Sequence, residues 1–223
     1  MRILAVSDEE MSVIYTPQIR ERFNDVNLVV SCGDLPYYYL EFIISMLDIN
    51  LYFIRGNHAH EVEYSEGGQK LAPWGAIDLH RKVAQDPTGL LLAGIHGSLR
   101  YNLGPYQYTQ GEMWNMVLGL CPKLMVNRIL YGRFLDVFIT HSPPWQIHDK
   151  ADLPHQGIKA FRWFDKVFKP AYHLHGHVHV YQKNEITETQ YFDTKVVNVF
   201  GYKKIDYDIE HLLKRPQLTQ VNK

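Results

Sequence analysis

Asn27-Leu28-Val29-Val30-Ser31-Cys32-Gly33-Asp34 is the stretch that decides the fold, a mostly apolar run without charge that stops at a glycine followed by an acid. A strand with one wet face alternates apolar and polar residues, whereas a strand covered on both faces is apolar throughout, so this run reads as an interior strand. Working outward, residues 3–6 form a similar run that ends at Ser7-Asp8, and residues 51–54 form one that ends at Gly56-Asn57-His58. Between these runs, residues 17–23 and 36–47 have helical composition, with Pro36 suited to a first helical turn. Strand and helix alternate at the spacing of βαβ units, which makes the front of the chain α/β.

Downstream the pattern changes. Residues 82–85 and 90–95, joined by Asp86-Pro87-Thr88-Gly89, predict a hairpin, so the sheets are expected to be mixed. Thr109 and Glu112 have capping-box spacing ahead of a helix to about residue 120, and Pro122 opens a second helix to about residue 133. Residues 97–133 are therefore expected as a helical lid insertion. A strand over 135–139 ends at Thr140-His141, a helix covers 158–168, and a strand over 171–174 delivers His173, His175, His177 and His179 in alternation. Further strands are expected at 188–192 and 195–200. The expected organisation is a single domain over 1–210 with a polar tail over 211–223.

Composition narrows the function classes. Of 223 residues 46% are apolar, enough to close one large core. Twenty-three Lys and Arg against 24 Asp and Glu leave a net charge of −1, so no charge excess drives adhesion to nucleic acid or to an anionic membrane. No export signal and no run of about 20 apolar residues is legible, and two cysteines, Cys32 and Cys121, form no disulfide framework. The expectation is a cytoplasmic protein with reduced thiols and no membrane partner.

Histidine is the abnormal count, at 12. Each expected strand ends in a group that can bind a metal: Asp8, Asp34, Asn57, His141, and the pair His177 and His179. In α/β proteins the carboxyl ends of the strands line the ligand crevice, so these separated segments can converge. With Glu10 added, the set is large enough for two ions, and its mixture of oxygen and imidazole donors suits Mn, Fe or Zn better than a calcium cage.

In order, the pieces read Asp8-Glu9-Glu10, Gly33-Asp34, Gly56-Asn57-His58, Thr140-His141 and Gly176-His177-Val178-His179. This series resembles the calcineurin-like metallophosphoesterases, whose pattern is D-x-H, G-D, G-N-H, a later H and G-H-x-H. The resemblance spans about residues 1–200. It implies two mixed β-sheets packed as a sandwich and flanked by helices. It also implies a reaction in which a hydroxide bridging two metals attacks phosphorus. By position, Asp8, Asp34 and His179 would hold one metal, and Asp34, Asn57, His141 and His177 the other. His58 would protonate the departing oxygen. The expected cofactors are two divalent or trivalent ions, Mn or Fe ahead of Zn, and the expected substrate is a small phosphate ester, a diester ahead of a monoester.

Three positions depart from the pattern. Glu10 stands where the family has histidine; it reads either as a metal ligand or as the far end of a capping box with Ser7. Ala59 and Tyr37 stand where carboxylates that support the general acid are common. His96 and Arg100 are further candidates to contact substrate, against a solvated or packing role. Tyr101, Tyr106, Tyr108, Trp74 and Trp114 read as core, with a stacking wall for a flat substrate group as the alternative. The competing function is a weakly active or inactive metal-binding scaffold on a degenerate phosphoesterase fold. Oligomeric state is not legible.

Overall fold

The computed structural model describes residues 1–59, 62–65, 67–182 and 184–208. The first half runs β1 (Arg2–Ser7), α1 (Ile19–Arg22), β2 (Leu28–Ser31), α2 (Tyr37–Leu47), β3 (Leu51–Phe53), β4 (Glu63–Ser65), β5 (Gly68–Lys70), β6 (Ala76–Asp78), β7 (Lys82–Gln85) and β8 (Leu91–Ile95). There follow β9 (Ser98–Leu99), β10 (Gln107–Tyr108), α3 (Gln110–Leu118), α4 (Cys121–Tyr131), β11 (Val137–Thr140), a 3-10 turn (Leu153–His155) and α5 (Lys159–Phe168). The last elements are β12 (Tyr172–His175), β13 (Glu188–Tyr191), β14 (Thr194–Asn198) and β15 (Gly201–Asp206).

Two mixed sheets result. The first has the order β15-β1-β2-β3-β6, parallel except for β15. The second has the order β13-β14-β12-β11-β8-β7, with a parallel centre and antiparallel strands at both edges. Ile3, Ala5 and Val30 of the first sheet pack against Leu92, Val137, Ile139 and Leu174 of the second. The alternate residues Leu4, Val6 and Val29 face Ile19, Leu40 and Ile43 of the covering helices. On the far side Leu91, Ala93 and Phe138 meet Met113 and Val117 of α3, Leu124 of α4, and Phe161 and Phe164 of α5. The central strands are apolar on both faces because each lies between the other sheet and a helical layer.

Thr109 and Glu112 form the expected capping box at the start of α3, and Pro122 lies in the first turn of α4. Within 97–133, α3 and α4 belong to the outer packing layer rather than standing over an opening, because Met113, Met116, Val117, Leu120 and Leu124 are buried in it. The β4–β5 hairpin, β6 and β15 have no counterpart among the elements expected from sequence. Residues 211–223 lie outside the described residues. Cys32 and Cys121 are free thiols. Among the described residues no helix is long and apolar enough to cross a membrane.

A fully buried polar link ties α5 to the second sheet. Thr140 donates its hydroxyl to Ser142 O, so it accepts from Nε2 of His173, whose Nδ1 lies 2.8 Å from Asp165 Oδ2. Around this link, Phe164 stacks on Phe138 at 4.2 Å between ring centroids and lies 4.8 Å from Phe168. Phe164→Ala should cost about 3–5 kcal/mol in urea unfolding, because the aromatic cluster cannot collapse around the void. Ile129→Ala, on the exposed face of α4, should stay within about 0.5 kcal/mol.

Candidate metal centre

Five strands of the two sheets bring their carboxyl ends to one place. Asp8 follows β1 directly, Asp34 lies just past β2 and Asn57 just past β3, while His141 follows β11 and His177 comes two residues after β12. Asp8, Asp34 and His177 have φ of 64°, 54° and 68°, a left-handed backbone that ordinary side chains adopt only at a cost of about 1–3 kcal/mol each. The strained turns end strand alternation and direct these side chains away from the sheet faces. The preceding glycines clear the space. A Cβ on Gly56 would collide with the Asp34 carboxylate and His141, and one on Gly176 would collide with Ser7 and the Asp8 carboxylate.

Asp8, Asp34 and His141 each offer one ligand atom, and these atoms lie within 4.8 Å of one another. Both carboxylates are removed from water. Asp8 accepts the backbone N–H of His177 on both oxygens at 3.1 Å, and Asp34 Oδ1 accepts that of His58 at 2.9 Å. Burial pushes the Asp8 carboxyl above the usual range, and neighbouring Asp34 adds to the rise. Burial also opposes ionisation of Asp34, but the charge and hydrogen bond of His141 outweigh it and hold Asp34 at about 2. Burial likewise disfavours the charged form of His141, yet Asp34 at 3.1 Å from Nε2, reinforced by Asp8, pushes that imidazole up to about 9. A proton on His141 Nε2 thus faces Asp34, with the Asp8 carboxylate in the same cluster.

Backbone carbonyls decide which imidazole nitrogens are available. His141 Nδ1 lies 2.8 Å from Cys32 O, an acceptor only, so it carries the hydrogen and leaves Nε2 facing Asp34 and, at 3.0 Å, Asn57 Oδ1. His177 Nε2 donates to Pro154 O at 2.7 Å, which leaves Nδ1 open. Burial, then the His141 charge, lowers His177 to about 3 and keeps it neutral. His179 places Nε2 3.8 Å from Asp8 Oδ1 while Nδ1 bonds the Tyr181 hydroxyl and the ring stacks on Phe200. Fixing one nitrogen so that the other can ligate is the arrangement that metal-binding histidines require. With two desolvated carboxylates, imidazole nitrogens and no thiolate among the donors, these residues fit hard or borderline cations of the Mn, Fe and Zn kind.

Of the residues selected from sequence, the structure brings together Asp8, Asp34, Asn57, His141, His177 and His179, with the exposed His58 at their rim. Glu10 is not in this group. Its exposed carboxylate accepts the Tyr38 hydroxyl at 2.6 Å, and in the centre it would add a third carboxylate beside two already desolvated ones. The capping alternative is not realised either, because β1 ends at Ser7, whose hydroxyl donates to Gly33 O, and no helix opens there. His96 is buried, stacked on His80 at 3.2 Å and bonded to Tyr108, while Arg100 holds Glu112 and Gln107 O; neither lines the site. Tyr37 is buried with its hydroxyl on Leu71 O, and among the described residues no carboxylate bonds the His58 ring.

Sequence reasoning missed three supports. Pro154 O fixes His177 and carries no side-chain signature. The loop bearing it is pinned by His148, whose ring bridges His175 and Thr189 at 2.9 Å each. Tyr101 accepts the Asn57 amide at 2.9 Å, so that Asn57 Oδ1 faces the centre. Of the five aromatic residues weighed from sequence, Tyr101 is the one at the site; Trp114 packs on Trp163, Trp74 lies over Lys70, and Tyr106 and Tyr108 surround His96.

Solved structures share this architecture. The protein TT1561 of Thermus thermophilus is 13% identical, with a TM-score of 0.59 over 90% of this chain and 89% of that one. The phosphopantetheinyl hydrolase PptH of Mycobacterium tuberculosis is 12% identical, with a TM-score of 0.54 over 89% and 88%. GAP50 of Plasmodium, described as the anchor in the inner membrane complex, is 14% identical, with a TM-score of 0.50 over 90% and 71%. At such identities the likeness concerns the fold. No curated protein sequence matches the chain. The pattern of calcineurin-like phosphoesterases matches residues 1–181, which carry every member of the clustered donor set, and the chain belongs to that family.

Proposed function

We propose that this protein is a metal-dependent phosphoesterase that hydrolyses a small phosphodiester. The observation that carries the reading is the pair of desolvated carboxylates, Asp8 and Asp34, facing imidazoles whose other nitrogens are capped. Asp8, Asp34 and His179 would hold one cation and Asp34, Asn57, His141 and His177 a second, with Asp34 shared. When bound, two cations neutralise phosphoryl oxygens and acidify a water that serves as nucleophile. His58, exposed at the rim, supplies a proton to the leaving oxygen as the ester P–O bond breaks and its electron pair goes to that oxygen. With no carboxylate among the described residues bonded to its ring, His58 serves acidic leaving groups better than alkoxides. The same feature, together with Glu10 turned to Tyr38, favours the second reading, a cation-binding scaffold with little turnover.

Turnover separates the two readings. Protein loaded with Mn, Fe, Zn or Mg should hydrolyse bis(p-nitrophenyl) phosphate, and Asp34→Asn or His177→Ala should reduce the rate by roughly 100-fold or more. Absent activity with every cation, or unchanged activity in both variants, removes the enzymatic reading.

Proton release tests the centre itself. Because His141 keeps its proton up to about 9, loading at pH 7.5 must displace it from Nε2. Calorimetry in buffers of different ionisation enthalpy should show about one proton or more released per protein, and cation affinity should rise with pH until about pH 9. Release of no proton would place the cation elsewhere.

A further inference from the structure

Beside the centre lies a cavity of about 630 Å³. Asn57 and His58 form its inner end, and Tyr101, Asn102, Leu103 and Pro105 form its outer wall. That volume lies within the range of pockets that take whole small organic molecules, far more than one phosphoryl group needs. Among the described residues that line it there is no Lys, Arg, Asp or Glu. The nearby arginines are committed elsewhere: Arg100 to Glu112 and Gln107 O, and Arg55 to Asp78 and Leu71 O at 2.7 Å each. Among the described residues lining the cavity, none adds a Lys or Arg charge for a phosphate, which leaves that task to the centre.

The outer wall is a built surface. Gln107, itself buried, accepts the backbone N–H groups of Tyr101 and Asn102 at 3.1 Å and donates to Asn102 Oδ1, which also accepts Gly104 N at 2.8 Å. Tyr101 is pinned to Asn57. On this fixed frame Leu103 is fully exposed, a large apolar side chain held in water beside the reacting centre. Holding it there leaves apolar surface ready for a contact that comes with ligand.

Resting on the phosphoesterase reading above, we infer that this cleft binds the uncharged, apolar or aromatic arm of the phosphodiester, so that the enzyme selects organic diesters over polyphosphates and nucleic-acid strands. The arm lies against Tyr101, Leu103 and Pro105 while the phosphorus stands at Asp34 and Asn57.

The test measures equilibrium binding of two monoanionic diesters, diphenyl phosphate and dimethyl phosphate, to the cation-loaded protein by calorimetry. Diphenyl phosphate should bind about tenfold tighter or more, from the apolar area it buries. Leu103→Glu, at a fully exposed position that folding does not depend on, should bring that ratio down toward one. Equal affinities, a ratio indifferent to Leu103→Glu, or no binding of either probe overturns the inference. Hydrolysis of bis(p-nitrophenyl) phosphate is followed in parallel. Turnover with a ratio near one sinks the cleft assignment alone. A tenfold ratio without turnover under any cation sinks the phosphoesterase reading and leaves the cleft as a binding site for such anions.

Discussion

Two carboxylates taken out of water side by side, Asp8 and Asp34, are the constraint on which the rest of the structure depends. Each costs several kcal/mol to desolvate, and their mutual repulsion adds to that. The compensation comes from both sheets at once. His177 N–H and His58 N–H meet the two carboxylates, His141 reaches from the second sheet to Asp34 and Cys32 O of the first, and Gly176 N donates to His141 O. The groups that hold the charges in place are thus also the clasp between the layers at their carboxyl ends. Left-handed φ at Asp8, Asp34 and His177 belongs to the same arrangement, since regular strand geometry would point these residues into the sandwich or the helical layers.

Much of this was legible because the physical demands leave marks on residue type. Strands buried on both faces lose their alternation, which exposes β1, β2, β3 and β11 in the sequence. Close approach demands glycine, which marks Gly56 before Asn57 and Gly176 before His177. Where the demand falls on backbone atoms or on a distant partner, no mark remains. β15 reads as a polar stretch, Gly-Tyr-Lys-Lys-Ile-Asp, because it is an edge strand with alternating burial; only its pairing with β1, Arg2 against Asp206 through Ser7 against Gly201, reveals it. Pro154 contributes a carbonyl that any residue possesses. Glu10 was selected by its place in a motif, and the decisive fact, the Tyr38 hydroxyl on α2, lies outside that motif.

The histidine series shows how one composition feature divides into two tasks. His173, His175, His177 and His179 share the same parity, so an unbroken strand would present all four on one face. β12 stops at His175. The first two therefore remain on the outer face of the second sheet, where His173 is tied to Asp165 and Thr140 and His175 to His148. The turn at His177 carries the last two to Asp8 and Asp34. His175 nonetheless serves the centre, since it anchors the loop whose Pro154 fixes the proton of His177 on Nε2.

A clasp between two sheets does not require charge. Apolar residues of similar volume would join the layers at least as well, since replacing buried ionic groups by well-packed hydrophobic ones is often neutral or stabilising. The arrangement at Asp8, Asp34 and His141 becomes favourable when the occupant is more positive than a single proton, and capped histidines beside it are prepared to lose hydrogen-bonding partners to such an occupant without reorganising. Cation binding is therefore favoured on energetic grounds that do not involve His58. Turnover is a separate matter, and on the reading proposed above it does depend on His58. Among the described residues no carboxylate orients the exposed His58 imidazole, so on that reading the leaving oxygen supplies through its own acidity what positioning does not.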